Sequence, residues 1–170
     1  MAIKLAEVSN AHFTHYESPL GLLKIAATHE HITEVVFVDE KEVLQEKADN
    51  ALLQQCVHEL SEYFTGSRLS FTVPVYQKGT DFQKKVWNEL LNIHFGKTIS
   101  YLTLAKRLGN PDCIRAAAST NGKNQISIIV PCHRVIGSNQ SLVGYAGGLP
   151  RKRWLLEHEN KVANGTQTFF

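Results

Sequence analysis

The chain has 170 residues, and its 18 Lys and Arg against 16 Asp and Glu give a net charge of +2. This length allows one sizeable hydrophobic core or two small ones, and the globular composition excludes a disordered or low-complexity chain. The N-terminal segment has no apolar signal core, no apolar run approaches the length of a membrane span, and three cysteines are too few for a disulfide framework. These features favour a cytoplasmic protein.

The first half of the sequence contains β-prone runs followed by a helical pattern. Three strands are predicted near 12–18, 22–28 and 32–38, separated by a Ser-Pro-Leu-Gly turn and a His-Glu-His turn. A helix ending at Gly66 is predicted over 51–66, because its apolar residues recur at helical spacing: Leu52, Leu53, Cys56, Val57, Leu60 and Phe64. Cys56 lies on this apolar face and is expected in the core. A short strand is predicted over 69–76.

Short helices are predicted in the second half. One over 81–93 has Asp81 as its expected N-cap, and one over 100–110 has Ser100 as N-cap and a left-handed end at Gly109-Asn110. Pro111 opens the next, over 111–122, and the last covers 149–160. The tail, 161–170, lacks periodicity and is expected to be frayed. The pair 100–110 and 111–122 has the outline of a helix-turn-helix, which any helical hairpin shares.

Charge is divided unevenly between the two halves. Residues 1–78 hold 6 Lys and Arg against 11 Asp and Glu, a net charge of −5, whereas residues 79–170 hold 12 against 5, a net charge of +7. A segment this basic on a weakly charged protein indicates a polyanion as the partner of the C-terminal half. An ordinary solvated surface is the alternative.

The helix predicted over 111–122 carries mostly small side chains. Arg115 is followed by Ala116, Ala117, Ala118, Ser119 and Thr120. A helix that reads the major groove normally projects Arg, Asn or Gln toward the bases. Small side chains instead permit close approach of the helix backbone to a ligand, with Arg115 as the one long side chain, or tight packing on a neighbouring helix.

The stretch "IVPCHRVIG", 129–137, places a thiol, an imidazole and a guanidinium directly after an apolar run. Pro131 ends that run, so Cys132 is expected at the edge of a core. A nucleophilic thiol needs a base, and the chain must turn after Pro131, or a water must bridge, before His133 can serve the sulfur. The imidazole needs a carboxylate in turn, and those in "LLEHEN" are best placed. An inert packing cysteine is the alternative.

Taken together, these segments resemble a known family. "IVPCHRVIG" followed by "GYAGGLPRKRWLLEHE", and preceded by "GTDFQKKVW", "GKTISYLTLAKRLGNP" and "IRAAA", is similar to the O6-alkylguanine-DNA alkyltransferases, or methylated-DNA–protein-cysteine methyltransferases. The resemblance runs from about Gly79 to Asn160. It implies an α+β fold of two domains. Residues 1–78 would form a small antiparallel sheet with a helix (ribonuclease H-like), and 79–170 a mainly helical domain with a helix-turn-helix (winged-helix-like).

The resemblance also implies the roles of site residues. Cys132 would accept the alkyl group, His133 would take the thiol proton through a water, and Glu159 would orient His133. Tyr101 would donate its hydroxyl toward guanine N3 and so help the purine leave. The base pocket would be lined by Val135, Tyr145, Ala146 and Arg134.

The implied function is DNA repair by direct reversal. The alkyl group of O6-alkylguanine, and of O4-alkylthymine, in duplex DNA would pass to Cys132, and the resulting thioether would end the activity of that molecule. The nucleotide would be flipped through the minor groove, with Arg115 filling the gap and Asn124 acting as a hinge. The further residues expected at DNA are Ala116, Ala117, Ser119, Thr120, Lys106, Arg107, Lys123 and Arg151. A monomer in the bacterial cytoplasm or nucleoid is expected.

Two other functions stay open. A non-catalytic protein that marks the lesion would replace the acceptor cysteine, so Cys132 argues against it. A Cys-His-Glu hydrolase would leave Tyr101, Arg115 and the basic helices unexplained. A metal site at His29 and His31, with His12 or His15, lacks a thiolate ligand nearby, so neither a metal nor another cofactor is expected.

Overall fold

The computed structural model describes residues 12–40, 46 and 48–165. The chain divides into two compact units, Met1–Gln77 and Lys78–Phe170. The boundary predicted from the sequence, after residue 78, lies one residue further along the chain.

The described part of the first unit contains an antiparallel sheet of order β1-β2-β3. Strands β1 (His12–Ser18), β2 (Gly21–Ala27) and β3 (Ile32–Phe37) confirm the three predicted strands. Ser18 lies opposite Gly21 at the first turn, where Gly21 has a φ of 118° that a residue with a Cβ rarely adopts.

Helix α1 (Ala51–Thr65) packs on this sheet and confirms the predicted helix. Asn50 caps it by accepting from the amides of Leu52 and Leu53, and Gly66 ends it in the left-handed conformation. Cys56 lies in the core, as predicted. Burial raises the pKa of the Cys56 thiol to about 12, so this cysteine is unreactive at neutral pH.

The strand predicted over 69–76 is wrong. The amide of Thr72 donates to Oε1 of Glu59 at 2.6 Å, and Pro74 has no amide hydrogen, so two positions are unavailable to a strand ladder. Only an isolated parallel bridge remains in this segment, between Val75 and Ile32.

The second unit begins with helix α2 (Asp81–Leu90), which is shorter than predicted and has a different cap. Thr80 rather than Asp81 is the N-cap. Its Oγ1 accepts from the amide of Gln83 at 3.1 Å, and Oε1 of Gln83 accepts from the amide of Thr80 at 3.0 Å. This reciprocal pair satisfies two amides, which a cap at Asp81 would not achieve.

Helices α3 (Tyr101–Arg107) and α4 (Ile114–Gly122) form the predicted pair of short helices. Ser100 caps α3, as predicted, by accepting from the amide of Thr103 at 3.0 Å. Gly109, with a φ of 92°, makes the left-handed end, and a 3₁₀ turn at Pro111–Cys113 leads into α4. Helix α4 packs against both α2 and α3.

Two short strands join the helix pair to the cysteine segment. Strand β4 (Ile99–Ser100) directly precedes α3 and pairs in parallel with β5 (Val135–Ile136). The described residues thus give the predicted α+β fold class, an antiparallel sheet unit followed by a mainly helical unit.

The last helix, α5 (Leu149–Asn164), runs further than predicted. The expectation of a frayed tail is wrong for residues 161–164, where the helix continues and the amide of Gly165 donates to the carbonyl of Lys161 at 2.8 Å. Ala163 in this last turn packs closely on Gly96. Residues 166–170 lie outside the described residues. Within the described chain, no helix combines the length and apolarity needed to cross a membrane.

Candidate active site

The Cys-His-Arg segment is a single 3₁₀ turn, Cys132–Arg134, directly after Pro131. The amide of Arg134 donates to the carbonyl of Pro131 at 3.0 Å and closes the turn. The chain therefore turns where the sequence predicts, and the strict alternation of an extended strand is lost. All three side chains of the turn are buried.

Glu159 on α5 binds two of these side chains. Its Oε1 lies 2.7 Å from Nε2 of His133. Arg134 donates from Nε to Oε2 and from a terminal nitrogen to Oε1, both at 2.9 Å, and its other terminal nitrogen donates to the carbonyl of Ile93 at 2.6 Å. The amide of Gly96 adds a longer contact, 3.4 Å, to Oε2. Both carboxylate oxygens are thus occupied by donors.

The protonation states follow from these contacts. Burial alone would raise the pKa of Glu159, but His133 and Arg134 hold it well below its usual range, so the carboxylate is ionised. Burial lowers the pKa of His133, against the opposing effect of Glu159, so the ring is neutral at neutral pH. An ionised carboxylate accepts the hydrogen on Nε2, which leaves Nδ1 with a lone pair. That buried Nδ1 has no hydrogen-bond partner in the described part of the chain.

The Cys132 thiol is buried, with 3% of the residue exposed. Burial raises its pKa, while the side-chain amide of Asn124 and the charge of Lys152 act in the opposite direction. The resting state is therefore a neutral thiol that needs a base to become a nucleophile.

The thiol lines a cavity of about 280 Å³. Among the residues predicted to form the site, Cys132, Tyr101, Tyr145 and Ala146 line it. The other lining residues are Ala118, Asn121, Gly122 and Gly144. Arg134 and Val135, which the sequence places in the pocket, are not among them. Arg134 is drawn away by its paired bonds to Glu159, and Val135 is fully buried in β5.

Tyr101 stands at the first position of α3 and directs its hydroxyl to the loop before α5. The hydroxyl donates to the carbonyl of Val143 at 2.8 Å. Burial and the neighbouring Cys132 raise the pKa of Tyr101, so it is a hydrogen-bond donor at neutral pH.

The α4 residues that are predicted to contact DNA differ in their solvent exposure. The side chains of Arg115, Ala116 and Ser119 are exposed. Those of Ala117 and Thr120 are buried, and the carbonyl of Thr120 accepts from the indole of Trp87 at 3.1 Å. Because these two face the protein interior, we correct their assignment from DNA contact to packing.

Asn124, expected as a hinge and counted among the residues at DNA, is also buried, so its side chain is an internal link and not a DNA contact. Its side-chain amide donates to the carbonyl of Val130 at 2.8 Å, and its Oδ1 accepts from the amide of Ile126 at 3.0 Å. It therefore fixes the turn that leads from α4 to the cysteine segment.

The cationic residues predicted to contact phosphates are mostly at the surface. Lys106, Arg107 and Lys123 are exposed, and Arg107 lies 3.9 Å from a carboxylate oxygen of Glu89. Arg151 is partly buried and donates to the carbonyl of Gly147 at 3.2 Å.

Family models match most of the chain. One, described as "6-O-methylguanine DNA methyltransferase, ribonuclease-like domain", matches residues 11–77, and a second, "6-O-methylguanine DNA methyltransferase, DNA binding domain", matches 81–161. The chain belongs to the 6-O-methylguanine DNA methyltransferase family.

Individual relatives agree with this placement. The constitutive methylated-DNA–protein-cysteine methyltransferase of Bacillus subtilis is 43% identical over 143 residues, 80% of this chain and 87% of the relative. That of Mycobacterium tuberculosis H37Rv is 40% identical over 162 residues, 94% and 98% of the two chains. The crystal structure of the M. tuberculosis OGT in complex with DNA aligns with a TM-score of 0.81 and 40% identity, covering 89% of this chain and 94% of that one. The predicted family and enzyme class are confirmed.

Two residues in this member of the 6-O-methylguanine DNA methyltransferase family were missed from the sequence. Asn121 donates its side-chain amide to the carbonyl of Cys132 at 3.3 Å, and nothing in its local pattern indicates this bond. Lys152 is fully buried, and its spacing from Leu155, Leu156 and Glu159 does signal it, since these positions share the inner face of α5.

The histidines considered as metal ligands lie in the ribonuclease-like domain of this family member. The rings of His12 and His29 are 5.5 Å apart, His15 lies 3.3 Å from a Glu46 oxygen, and His31 is near Tyr76. Among the described residues, no group of three or more His, Cys, Asp or Glu could hold a metal ion.

Proposed function

We propose that this protein repairs alkylated duplex DNA by transferring the alkyl group from O6 of guanine to Sγ of Cys132, once per molecule. The observation that carries the proposal is the Glu159–His133 pair beside a cavity lined by the Cys132 thiol. The relatives are named as methylated-DNA–protein-cysteine methyltransferases, which supports this reaction. The arrangement of Glu159 and His133 supports it by providing a proton acceptor for the thiol.

The first step is removal of the thiol proton. Glu159 fixes the hydrogen of His133 on Nε2, so Nδ1 takes the proton of Cys132 through one water. This creates a thiolate and an imidazolium in a buried site, and the ionised Glu159 stabilises the imidazolium. The base is needed because burial raises the thiol pKa.

Alkyl transfer is then a displacement at carbon. The sulfur of Cys132 attacks the alkyl carbon in line, an S–C bond forms, the C–O6 bond breaks, and its electron pair stays on the purine. Tyr101, which lines the same cavity, donates its hydroxyl to N3 and lowers the charge of the departing purine. The proton released by the thiol balances the proton that the purine needs to become guanine.

The burial of Cys132 requires that the nucleotide leave the base stack. An alkylated oxygen within a duplex cannot reach a sulfur that lies in a cavity, so the nucleotide is flipped into it at a cost of a few kcal/mol. Helix α4 enters the minor groove, its small exposed residues allow close approach, and Arg115 fills the gap. O4-alkylthymine presents the same reacting group, an alkyl carbon on an exocyclic oxygen.

The product explains why each molecule acts once. A thioether, unlike a thioester, has no carbonyl carbon for water to attack, and a neutral imidazole cannot expel a thiolate from a methyl group. Cys132 therefore stays alkylated, and repair is stoichiometric.

The test is to incubate the protein with duplex DNA containing O6-methylguanine and then weigh the protein and its peptides. We expect one methyl group per chain, on Cys132, with guanine restored in the DNA. Cys132→Ser abolishes transfer, and Cys113→Ser, at a partly exposed cysteine, preserves it. Light scattering of the same sample is expected to give a monomer.

Two results would contradict the proposal. Repair of the DNA without a gain in protein mass means a turnover enzyme. Binding without repair means a lesion-recognition protein.

A further inference from the structure

Lys152 on α5 is a buried cation without a carboxylate partner among the described residues. None of its side chain is exposed, and within the described part of the chain no Asp or Glu forms an ion pair with it. Buried ammonium groups are costly unless every donor is satisfied. The three donors of Lys152 are satisfied by backbone carbonyls, those of Val135 at 2.7 Å and of Val143 and Gly144 at 3.1 Å each.

These three carbonyls lie in two segments of the second unit. Val135 opens strand β5, directly after the Cys-His-Arg turn, whereas Val143 and Gly144 belong to the loop before α5. Gly144 lines the cavity, together with Tyr145 and Ala146 of the same loop. One ammonium therefore joins the strand that directly follows the thiol-bearing turn to a loop that lines the same cavity as the thiol.

Tyr101 shares an acceptor with Lys152. The carbonyl of Val143 receives both the Tyr101 hydroxyl, at 2.8 Å, and the Lys152 ammonium, and the ammonium lies 5.9 Å from the centre of the Tyr101 ring. When the Tyr101 hydroxyl turns to a purine, as the proposed function requires, it must leave Val143. Lys152 then remains as the donor that holds this carbonyl.

We propose that Lys152 is a positioning residue for alkyl transfer, which keeps the loop wall in place while the Tyr101 hydroxyl is released to the substrate. The inference rests on the proposed function only for the release of Tyr101. The tether itself consists of the three hydrogen bonds.

The charge of Lys152 also acts on the nucleophile. Burial raises the pKa of Cys132, and the positive charge of Lys152 lowers it. Burial lowers the pKa of Lys152 to about 8, and the charge of a Cys132 thiolate acts in the opposite direction. Among the described residues, the other charged or titratable groups coupled to the thiol are Tyr101 on α3 and Tyr145 in the loop, and those that act on its base, His133, are Arg134 in the 3₁₀ turn and Glu159 on α5. Lys152 differs from them because its positive charge lowers the pKa of Cys132 and so favours the thiolate.

The test compares three variants. Lys152→Met removes the charge and all donors at nearly constant length, Lys152→Gln keeps a neutral donor, and Lys161→Met removes an exposed lysine from the same helix. Hydrogen exchange reports the loop at 143–146. Iodoacetamide labelling of the Cys132 peptide across pH reports the thiol, and single-turnover repair of O6-methylguanine duplex reports the reaction.

For Lys152→Met we expect the loop amides to exchange roughly tenfold faster or more, and repair to slow by roughly tenfold or more. The pH profile of Cys132 labelling should move to higher pH. Lys152→Gln should retain more of the loop protection and show the same displaced profile. Lys161→Met should match the unchanged protein. A merely structural role would leave the labelling profile of a folded variant in place.

A folded Lys152→Met with unchanged loop exchange and an unchanged labelling profile would overturn the inference. So would loss of folding in both Lys152 variants, because the inference assigns Lys152 to the site rather than to the fold. If the unchanged protein transfers no methyl group, the proposed function fails, while loop exchange and labelling still decide the role of Lys152.

Discussion

His133 and Glu159 are joined by a 2.7 Å contact between Nε2 and Oε1, with side chains that are 0% and 1% exposed. Arg134 holds the same carboxylate through two nitrogens, so the carboxylate cannot rotate away. The pair therefore determines which nitrogen of the imidazole faces the reaction. It also places the positive charge of an imidazolium next to a fixed negative charge.

Glu159→Gln tests this relationship. A neutral amide would turn donor hydrogens toward Arg134 and would not stabilise an imidazolium, so we expect repair to slow by about a hundredfold or more. The uncompensated Arg134 charge should also cost roughly 3–5 kcal/mol of unfolding free energy. Single-turnover repair and urea unfolding measure the two effects. Glu157→Gln, on the same helix, is the control, and equal rates in both variants would exclude the proposed proton path.

Arg115→Ala tests nucleotide flipping. The exposed guanidinium is expected to fill the gap left in the duplex, so its loss should slow repair of duplex DNA by roughly tenfold or more. The reaction with free O6-methylguanine base, which needs no flipping, should change much less. Both rates are measured by the gain in protein mass, and Arg153→Ala on α5 serves as the control. Equal losses on the two substrates would remove the role of Arg115 in flipping.

Elements that depend on local patterns could be predicted from the sequence. The first three strands, helix α1 and the cap at Ser100 follow from alternation, helical spacing and a polar side chain before an apolar run. The turn at Cys132 follows from Pro131. The resemblance implied that Glu159 is the partner of His133, and the two side chains are in contact.

The error at the start of α2 arises because two neighbouring residues compete as its N-cap. Thr80 and Asp81 are both good N-caps, and the deciding signal was Gln83, three residues after Thr80. The helix end at Asn164 was signalled by the glycine that follows it, Gly165. By contrast, the bonds of Lys152 depend on where the carbonyls of a loop point, and no local pattern fixes that direction.

Gly96 closely approaches the last turn of α5. It has a φ of 76°, and a Cβ built there would lie 2.5 Å from the Cβ of Ala163. We therefore expect Gly96→Ala to lower the unfolding free energy by about 1–3 kcal/mol through strain and overlap. Because Trp87 and Trp154, the two tryptophans of the chain, both lie in the second unit, their fluorescence reports its unfolding.

Ala163→Gly separates the two causes. On its own it costs up to about 1 kcal/mol of helix stability. Combined with Gly96→Ala it should recover the part of the loss that comes from the overlap, leaving the part that comes from φ. Losses that simply add would show that Ala163 and Gly96 do not press on each other.

Glu59 gives the first unit a stability that depends on pH. Its carboxylate accepts from the amide and hydroxyl of Thr72, at 2.6 and 3.0 Å, and from Gln55 at 2.9 Å, and it lies 3.5 Å from Arg68. Although burial raises the pKa of Glu59, these donors lower it below its usual value overall. A carboxylate whose pKa is lower in the folded state contributes stability above its unfolded pKa and loses it as the pH falls through the folded value.

Glu59→Gln should therefore destabilise the first unit by roughly 1–3 kcal/mol near neutral pH, because the buried amide cannot accept from all of these donors. The difference from the unchanged protein should shrink below about pH 5, where the unfolded chain begins to protonate at this position. Hydrogen exchange of the α1 amides measures this unit separately from the second. Glu30→Gln, at an exposed turn, is the control. A difference that stayed constant from pH 7 to acid pH would mean that Glu59 acts through packing alone, and not through its charge.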